Sequence, residues 1–435
     1  MKRLPVFLGA MALAGCAHYS RLPLPQQATL APALPATADQ ALGVEAVARL
    51  AVERDPELIA ARTQRGVAQA QLIEAGILPN PSLNASYMPL VSGAGSVAAW
   101  SAGLTEDVKA LIVYRPRHRA ARDAALQVDA DLLWQEWQVT GQARQLAVEL
   151  ILGKRACMQL KQAYQVLDQR NGQMAQALAH GEVTLADAAP LASALQSARA
   201  NLQTAEEHQL QGHHQLAALL GLQPDAPIPL ADHIDLPPFD PAIVAASIDD
   251  LPHRRPDLVA LRYGYAAADE NLRAAILAQF PDLVFGAAGQ SDSSRVVNAG
   301  PTATLGLPIF DRNQGNIALA RATRAQLHAD YVARLSAASG ELRALLSEWR
   351  MLSGQLAVVK ADLPQVRQAA DQAAQAFAQS RIDARSYVDL LTAYVAKKQE
   401  TMTLETALAD REVAIDTLAG TGLPSVASLP PETSP

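Results

Sequence analysis

Residues 54–83 of the chain read RDPELIAARTQRGVAQAQLIEAGILPNPSL, and residues 254–283 read RRPDLVALRYGYAAADENLRAAILAQFPDL. The two stretches align without a gap, and ten of the thirty positions are identical. At an offset of 199 residues, two further segments match, Gly181-Glu182-Val183 with Ser380-Arg381-Ile382 and Leu219-Leu220-Gly221 with Leu418-Ala419-Gly420. An internal repeat of this length predicts two structural halves of about 180 residues each.

Each half of the repeat predicts the same series of elements. A helix begins at Pro56 or Pro256, because proline suits the first turn of a helix. A proline break follows, and then two short stretches of alternating apolar and polar residues are separated by a Gly/Ser-rich turn. This alternation is typical of strands. The predicted strands lie near 82–87, 97–105, 282–287 and 301–309.

A very long helix follows each predicted hairpin. In the second half, apolar residues recur at alternating steps of three and four from about Gln314 to Gln379, which indicates a coiled-coil seam. The matching helix of the first half is predicted from about Pro116 to Ala179. Some 65 residues at 1.5 Å rise give a length of roughly 100 Å. A tight turn and a returning helix of about 35 residues complete each half.

Composition and motifs favour a structural or transport protein over an enzyme. The net charge of −7 leaves no basic footprint for nucleic acid. The sequence has no phosphate-binding loop, His-Glu-x-x-His helix or Cys-x-x-Cys pair. His208, His213 and His214 are interpreted as surface histidines. We therefore expect no catalytic site, no metal site and no cofactor.

The N-terminal residues have the pattern of an export signal. A basic start and a short apolar stretch end at Leu13-Ala14-Gly15-Cys16. This ending resembles a bacterial lipobox, which implies cleavage before Cys16 and lipid attachment to it. No aspartate follows Cys16 to signal inner-membrane retention, so we expect an outer-membrane lipoprotein. The only other cysteine is Cys157, which leaves no internal disulfide.

These patterns divide the chain into six regions. Its two repeats are joined by a proline-bearing linker and flanked by Pro-rich ends. The predicted regions are a signal peptide (1–15), a lipid-anchored leader (16–41), a first repeat (42–222), a linker (223–249), a second repeat (250–423) and a disordered tail (424–435).

The predicted hairpins constrain the assembly. Four strands cannot close into a barrel with an interior, which needs about eight, and open strand edges cannot sit in lipid. Three chains would supply twelve strands, with apolar faces toward lipid and Ser, Asn and Thr faces toward a wet lumen. The same threefold arrangement would roll the long helices into a tube.

The chain resembles the TolC family of outer-membrane efflux proteins from Leu42 to Leu423, with its strongest local match at Ala75–Pro81. The segment is similar to the helix-to-strand entry of the lipid-anchored cation-efflux branch. The resemblance implies a mostly helical trimer, with a twelve-strand transmembrane β-barrel on a long periplasmic α-helical barrel. It also implies a passive export duct in the outer membrane. Its partners would be a periplasmic adaptor and an inner-membrane pump, most often of the RND type.

The resemblance also assigns roles at the two helical turns. Ala384–Asp389 resembles the Thr-Arg-Thr-Ile-Val-Asp turn of the family, which implies that Asp389 rings a closed aperture. It also implies that Arg385 is a latch residue paired with Asp187 of a neighbouring hairpin. A second family aspartate is replaced by Thr392. The turns expected to contact the adaptor contain Gly181, Val183, Ile382 and Ser386.

Two questions stay open on the sequence. One alternative function is a lipid-anchored periplasmic coiled-coil protein with a structural or adaptor role, which predicts no lipid-facing strands. The cargo is also open, since metal cations and drugs or other small molecules are both compatible with the pattern.

Overall fold

The computed structural model describes residues 19–34 and 41–424. In this part of the chain the two halves contain the same elements in the same order. The first half consists of α2 (Pro56–Ala75), β1 (Ser82–Met88), β2 (Ala99–Asp107), α3 (Val108–Ala179) and α4 (Leu185–Leu219). The second half consists of α7 (Pro256–Leu277), β3 (Asp282–Ser291), β4 (Val297–Gly306), α8 (Gln314–Ala378) and α9 (Ala384–Ala419). Three shorter helices precede the halves: α1 (Val44–Arg54), α5 (Pro241–Ser247) and α6 (Leu251–Arg254).

The start of α3 differs from the prediction. The helix begins at Val108, eight residues before Pro116, and continues for 72 residues. Asp107 caps it, since its carboxylate accepts hydrogen bonds from the backbone N–H groups of Lys109 at 2.9 Å and Ala110 at 3.3 Å. A capping carboxylate thus sets the helix start, and Pro116 lies inside the helix.

The last strand also differs from the prediction. β4 covers Val297–Gly306 rather than 301–309, and Pro301 lies within it opposite Ala287. Proline has no N–H to donate, which an edge strand tolerates. Past Gly306 the chain turns, with the Ile309 N–H donating to the Leu307 carbonyl at 2.9 Å.

The four strands form one antiparallel sheet in the order β1-β2-β3-β4. The pairing of β2 with β3 joins the two repeats, for example at Leu104 opposite Ala287. β1 and β4 are the edge strands. The sheet therefore lies at one end of the long helices, because β2 leads directly into α3.

The long helices pack as antiparallel pairs, α3 with α4 and α8 with α9. The seam predicted along α8 is confirmed, because its apolar positions are the buried ones. The buried members are Ala338, Leu342, Leu356, Val359, Ala370 and Ala373, and Leu346 beside them is buried as well. No helix in the described ranges is long and apolar enough to cross a membrane.

The leader and linker pack together beside α1. The Gln223 N–H of the linker donates to the Ala31 carbonyl of the leader at 2.9 Å, and the Leu42 N–H, just after the leader, donates to the Pro229 carbonyl of the linker at 2.7 Å. The segment predicted as a linker, 223–249, contains α5. Pro424 is held by Trp137, whose indole N–H donates to its carbonyl at 3.0 Å. The predicted signal peptide, Cys16 and residues 425–435 lie outside the described residues.

Candidate functional site

The sheet has one apolar face. Residues directly opposite each other on antiparallel strands point to the same side, and successive residues alternate. Leu83 lies opposite Leu104, and Tyr87 lies opposite Trp100, so these four share a face. Carried across all three pairings, the apolar residues of that face are Leu83, Ala85, Tyr87, Trp100, Ala102, Leu104, Leu283, Phe285, Ala287, Val297, Ala299, Pro301, Ala303 and Leu305. Glu106 and Ser291 are its polar exceptions.

The opposite face is mostly polar. It contains Ser82, Asn84, Ser86, Ser101, Thr105, Asp107, Asp282, Gln290, Asn298, Thr302 and Thr304. Ser86 and Ser101 are hydrogen-bonded across the strands, with 2.9 Å between their hydroxyl oxygens. Met88, Ala99, Val284 and Ala288 are the apolar exceptions. The alternation predicted for both hairpins is therefore the observed arrangement.

The apolar face is uncovered in the single chain. Leu83 is 75% exposed, Tyr87 is 72% exposed and Leu305 is 54% exposed. An apolar patch spread over four strands is larger than soluble monomers usually leave open to water, and such patches mark contact with membrane or protein. The two edge strands also keep one side unpaired within the chain, which is costly for a sheet in an apolar environment.

At the far end of the helices, the turn between α3 and α4 is closed by a capping box. Gly181 takes a left-handed φ of 71°. The Thr184 hydroxyl donates to the Asp187 carboxylate at 2.6 Å, and the Thr184 N–H donates to the same oxygen at 3.0 Å. These hydrogen bonds hold the pKa of Asp187 below its ordinary value. Asp187 thus stays ionised and belongs first to its own turn.

The turn between α8 and α9 has a similar cap. The Asp383 carboxylate accepts a hydrogen bond from the Ser386 N–H at 2.7 Å. This hydrogen bonding and the charge of Arg385 lower the pKa of Asp383. Arg385 and Asp389 are exposed on the first turns of α9. The hydroxyl of Thr392 donates to the Val388 carbonyl at 2.7 Å, so it is bonded within its own helix.

The structure brings the two turns together. An apolar cluster links α4 and α9 there, with Leu191, Leu195, Tyr387 and Val388 buried in it. Ile382 packs against the same cluster. The stacked rings of Phe377 and Tyr387, with centroids 4.9 Å apart, brace only the second turn, because the repeat places Leu178 and Ala188 at those positions.

The predicted latch pair is not an ion pair of the single chain. No ion pair in the described ranges joins Arg385 to Asp187, and both side chains are exposed. Gly181 and Ser386 are also exposed, whereas Val183 is half-buried. Exposed charges at a turn are available to another chain. The inter-chain latch and the adaptor contact stay predictions.

The sequence did not indicate one buried and one half-buried polar group. Arg255 is fully buried and its guanidinium lies 4.7 Å from the centroid of the Trp134 ring. On α9, burial and the nearby carboxylate of Glu149 raise the pKa of Asp410 to about 7. Glu149 and Asp410 are far apart in sequence, and only the packing of α9 against α3 brings them close.

The described residues also hold a cavity but no metal cluster. The cavity has a volume of about 790 Å³ and lies between α3, α4 and α9, where Gln159, His208, Tyr394 and Lys398 line it. Within the described ranges, no group of three His, Cys, Asp or Glu side chains is placed to hold a metal ion.

Comparison with known proteins agrees with this architecture. The model of the outer membrane efflux protein family matches residues 248–421, close to the second repeat. No curated protein sequence matches the chain. Among solved structures, the outer membrane channel CmeC of Campylobacter jejuni superposes with a TM-score of 0.73 at 16% identity, covering 94% of this chain and 95% of CmeC.

Two further structures give the same result. VceC, an outer membrane protein of Vibrio cholerae, has a TM-score of 0.71 at 18% identity and covers 87% of this chain and 96% of its own. CusC, described for its transmembrane channel formation, has a TM-score of 0.70 at 18% identity over 94% and 99% of the two chains. The resemblance predicted from the sequence is confirmed at the level of the fold and the family match.

Proposed function

We propose that this chain, whose second half matches the outer membrane efflux protein family and whose fold matches outer membrane channels over up to 94% of its length, is the outer-membrane duct of a tripartite efflux system. In this proposal three chains assemble. Their sheets close into a twelve-strand barrel, and their helices form a periplasmic tube. The duct is passive: the pump, most simply of the RND type, supplies the driving force, and an adaptor joins the pump to the helical tip.

The two-faced sheet is the observation that carries the proposal. An apolar face matched by a polar face is the pattern of a transmembrane barrel with a wet lumen. Leu83 and Leu305, on the two edge strands, are both on the apolar face. Joining β1 of one chain to β4 of the next would therefore continue that face without a break and would pair the open edges. A periplasmic coiled-coil protein would not require a sheet with an exposed apolar face.

The lipid anchor and cargo belong to the same proposal at a finer level. A lipid on Cys16 would hold the chain in the periplasmic leaflet of the outer membrane, with the helices extending into the periplasm. The cargo is a metal cation or a small organic molecule. Selection between them falls to the pump, because the polar face of the sheet presents mainly hydroxyl and amide groups, with Asp107 and Asp282 at the end next to α3, and the described residues hold no metal-ligand cluster.

The deciding experiment combines native mass spectrometry with single-channel recording. The purified full-length protein should be a trimer and should give a small, cation-favouring conductance in a planar bilayer. A monomer or dimer without conductance would remove the barrel and leave the coiled-coil alternative. Both are measured on the same preparation. The mass tests assembly, and the current tests channel formation.

The tip can be tested on that trimer. If Arg385 and Asp187 of adjacent hairpins hold the aperture shut, Arg385→Ala should leave the trimer intact and raise its conductance. An exposed pair contributes about 1 kcal/mol or less, so adaptor binding can outweigh three of them. Arg381→Ala is the matched control, because Arg381 is exposed in the same turn. Unchanged conductance in Arg385→Ala would refute the latch.

The aperture itself gives a second readout. Three Asp389 carboxylates at a narrow tip would attract cations and repel anions. Asp389→Asn should therefore reduce the preference for cations over anions. Equal selectivity in this variant and the wild-type channel would place Asp389 away from the narrowest point.

A further inference from the structure

The first turns of α3, directly below the sheet, expose an apolar pair followed by arginines. Leu111 is 41% exposed and Ile112 is 43% exposed. The exposed arginines that follow are Arg115, Arg117 and Arg119. We refer to these five residues as the arginine belt. Residues 108–122 contain five lysines and arginines and no acidic residue, in a chain whose net charge is −7.

Three members of the arginine belt share one stripe of the helix. Leu111, Arg115 and Arg119 are spaced four residues apart, which places them on the same face. Among the described residues, the ion pair of Arg119 is a long one, 3.8 Å from the carboxylate of Glu270, and the Arg119 side chain is 62% exposed. This leaves guanidinium N–H groups of the stripe facing outward from the chain.

The position of α3 argues against a neighbouring subunit as the cover for this stripe. The helix packs between α2 and α7 of its own chain, just as β2 lies between β1 and β3. In a ring of subunits, the neighbours would meet α2 and α8 instead. The stripe of Leu111, Arg115 and Arg119 therefore faces either the outside of the wall or its interior.

In the second repeat, the segment that follows β4 shows a similar order of exposed residues. Leu307, Ile309 and Phe310 are exposed, the last at 92%, and the exposed Arg312 follows them. Two segments thus place exposed apolar side chains before an arginine at the same end of the same sheet, and in the second segment the exposed Asp311 stands between them. An arginine that is merely solvated would not require exposed apolar residues between it and the sheet.

We propose that Arg115 and Arg119 of the arginine belt bind the phosphate groups of anionic phospholipids in the membrane leaflet that borders the periplasmic end of the sheet. This inference rests on the proposed function, because it needs the sheet to lie in a membrane. Arginine suits the role, since its guanidinium makes paired hydrogen bonds to phosphate oxygens.

The spacing fits the thickness of a lipid interface. The headgroup region adds about 5–7 Å to each side of the hydrocarbon core. Leu111 and Arg115 are separated by one helical turn, about 6 Å. With Leu111 and Ile112 beside the headgroup ends of the acyl chains, Arg115 would lie at the phosphates and Arg119 just beyond them. Basic side chains at this depth attract anionic lipid selectively.

The test uses the full-length protein in nanodiscs made of three parts phosphatidylcholine and one part phosphatidylglycerol. Lipids retained after release are counted by native mass spectrometry. The wild-type protein should retain phosphatidylglycerol in preference to phosphatidylcholine. The double variant Arg115→Gln/Arg119→Gln should lower that preference at least about fivefold. The control is Arg343→Gln/Arg350→Gln, which changes two exposed arginines about 45 Å or more along α8 from its start.

Single-channel recording on the same variants separates the outcomes. Loss of lipid preference with unchanged ion selectivity supports the proposal. Unchanged lipid retention with a shift of current toward cations would place the arginines in the lumen and overturn it. A conducting wild-type trimer without lipid preference would also overturn it while leaving the proposed function intact. A wild-type protein that forms no conducting trimer would refute the proposed function instead.

Discussion

Gly181 and Ser380, which the repeat aligns at an offset of 199 residues, both take a left-handed backbone conformation, with φ of 71° and 55°. Each follows the end of a long helix, at the turn that reverses the chain. Glycine adopts this conformation without a steric penalty, whereas serine pays about 1–2 kcal/mol. The second turn therefore carries strain that the first does not.

Replacing Ser380 with glycine should stabilise the second turn. The gain is about 0.5–1 kcal/mol, because the relief of strain is partly offset by the greater freedom of glycine in the open state. Hydrogen–deuterium exchange of the backbone amides around the turn should slow about two- to fivefold. Gly181→Ser makes the reciprocal change and should accelerate exchange at the first turn. Equal exchange in Ser380→Gly and the wild-type protein would mean that the serine is not strained.

A second glycine is constrained by both its backbone and its neighbour. Gly420 has φ of 75°, and a Cβ atom there would meet the ring of Trp137. Gly420→Ala should cost about 1–2 kcal/mol for the backbone conformation and a further 1–3 kcal/mol, roughly, for the collision. Urea denaturation followed by circular dichroism measures the loss.

The matched control for this prediction lies two residues further on. Gly422 has φ of 69°, and a Cβ atom there has nothing within 4 Å. Gly422→Ala should therefore show only the backbone cost. If the two alanine variants lose the same stability, the Trp137 ring gives way easily and the close packing is not a constraint.

The order of helices and strands in each repeat could be predicted from the sequence, but the long-range contacts between these elements could not. Helix and strand types, strand faces and the α8 seam follow from local periodicity. The start of α3 was predicted wrongly because Asp107 reads as a strand end until its carboxylate is seen capping the helix. The burial of Asp410 against Glu149 could not be predicted, because no local pattern records which helix covers which. The latch and aperture residues depend on contacts between chains.

The equivalent helices α2 and α7 are stabilised differently at their N-termini. In the first, Asp55 caps α2 by accepting a hydrogen bond from the Leu58 N–H at 2.6 Å. In the second, Arg255 holds that position and cannot cap. Asp257 instead accepts hydrogen bonds from Arg255 at 2.8 Å and from Arg334 at 2.6 Å. Burial alone would raise the pKa of Asp257, but these hydrogen bonds and charges hold it below its ordinary value.

Removing Asp257 should be strongly destabilising. Asp257→Ala leaves the fully buried Arg255 without its carboxylate, a loss of about 3–5 kcal/mol. Glu57→Ala is the matched control, because Glu57 is the repeat counterpart and is exposed; it should change stability by about 0.5 kcal/mol or less. The urea midpoints of the two variants give the comparison. Similar midpoints would show that the buried cluster contributes little.

Asp410 should make stability depend on pH. Burial and the charge of Glu149 raise its pKa from 3.8 to about 7, although Arg411 beside it acts in the opposite direction. The folded protein then binds a proton that the unfolded chain has released. Stability must therefore fall as pH rises from about 4 to 7 and level off above that range. Urea denaturation at several pH values measures the slope.

Asp410→Asn should weaken this dependence, because an amide does not ionise, and should make the protein more stable than wild type at pH 8. Asp416, whose pKa is raised to about 6 mainly by burial, would maintain a smaller slope below that value. The exposed Asp330 on α8 provides the control, and Asp330→Asn should retain the wild-type profile. If Asp410→Asn also retains that profile, then Asp410 is ionised at little cost in the folded state. In that case the carboxylates of Asp410 and Glu149 are screened by water between α3 and α9.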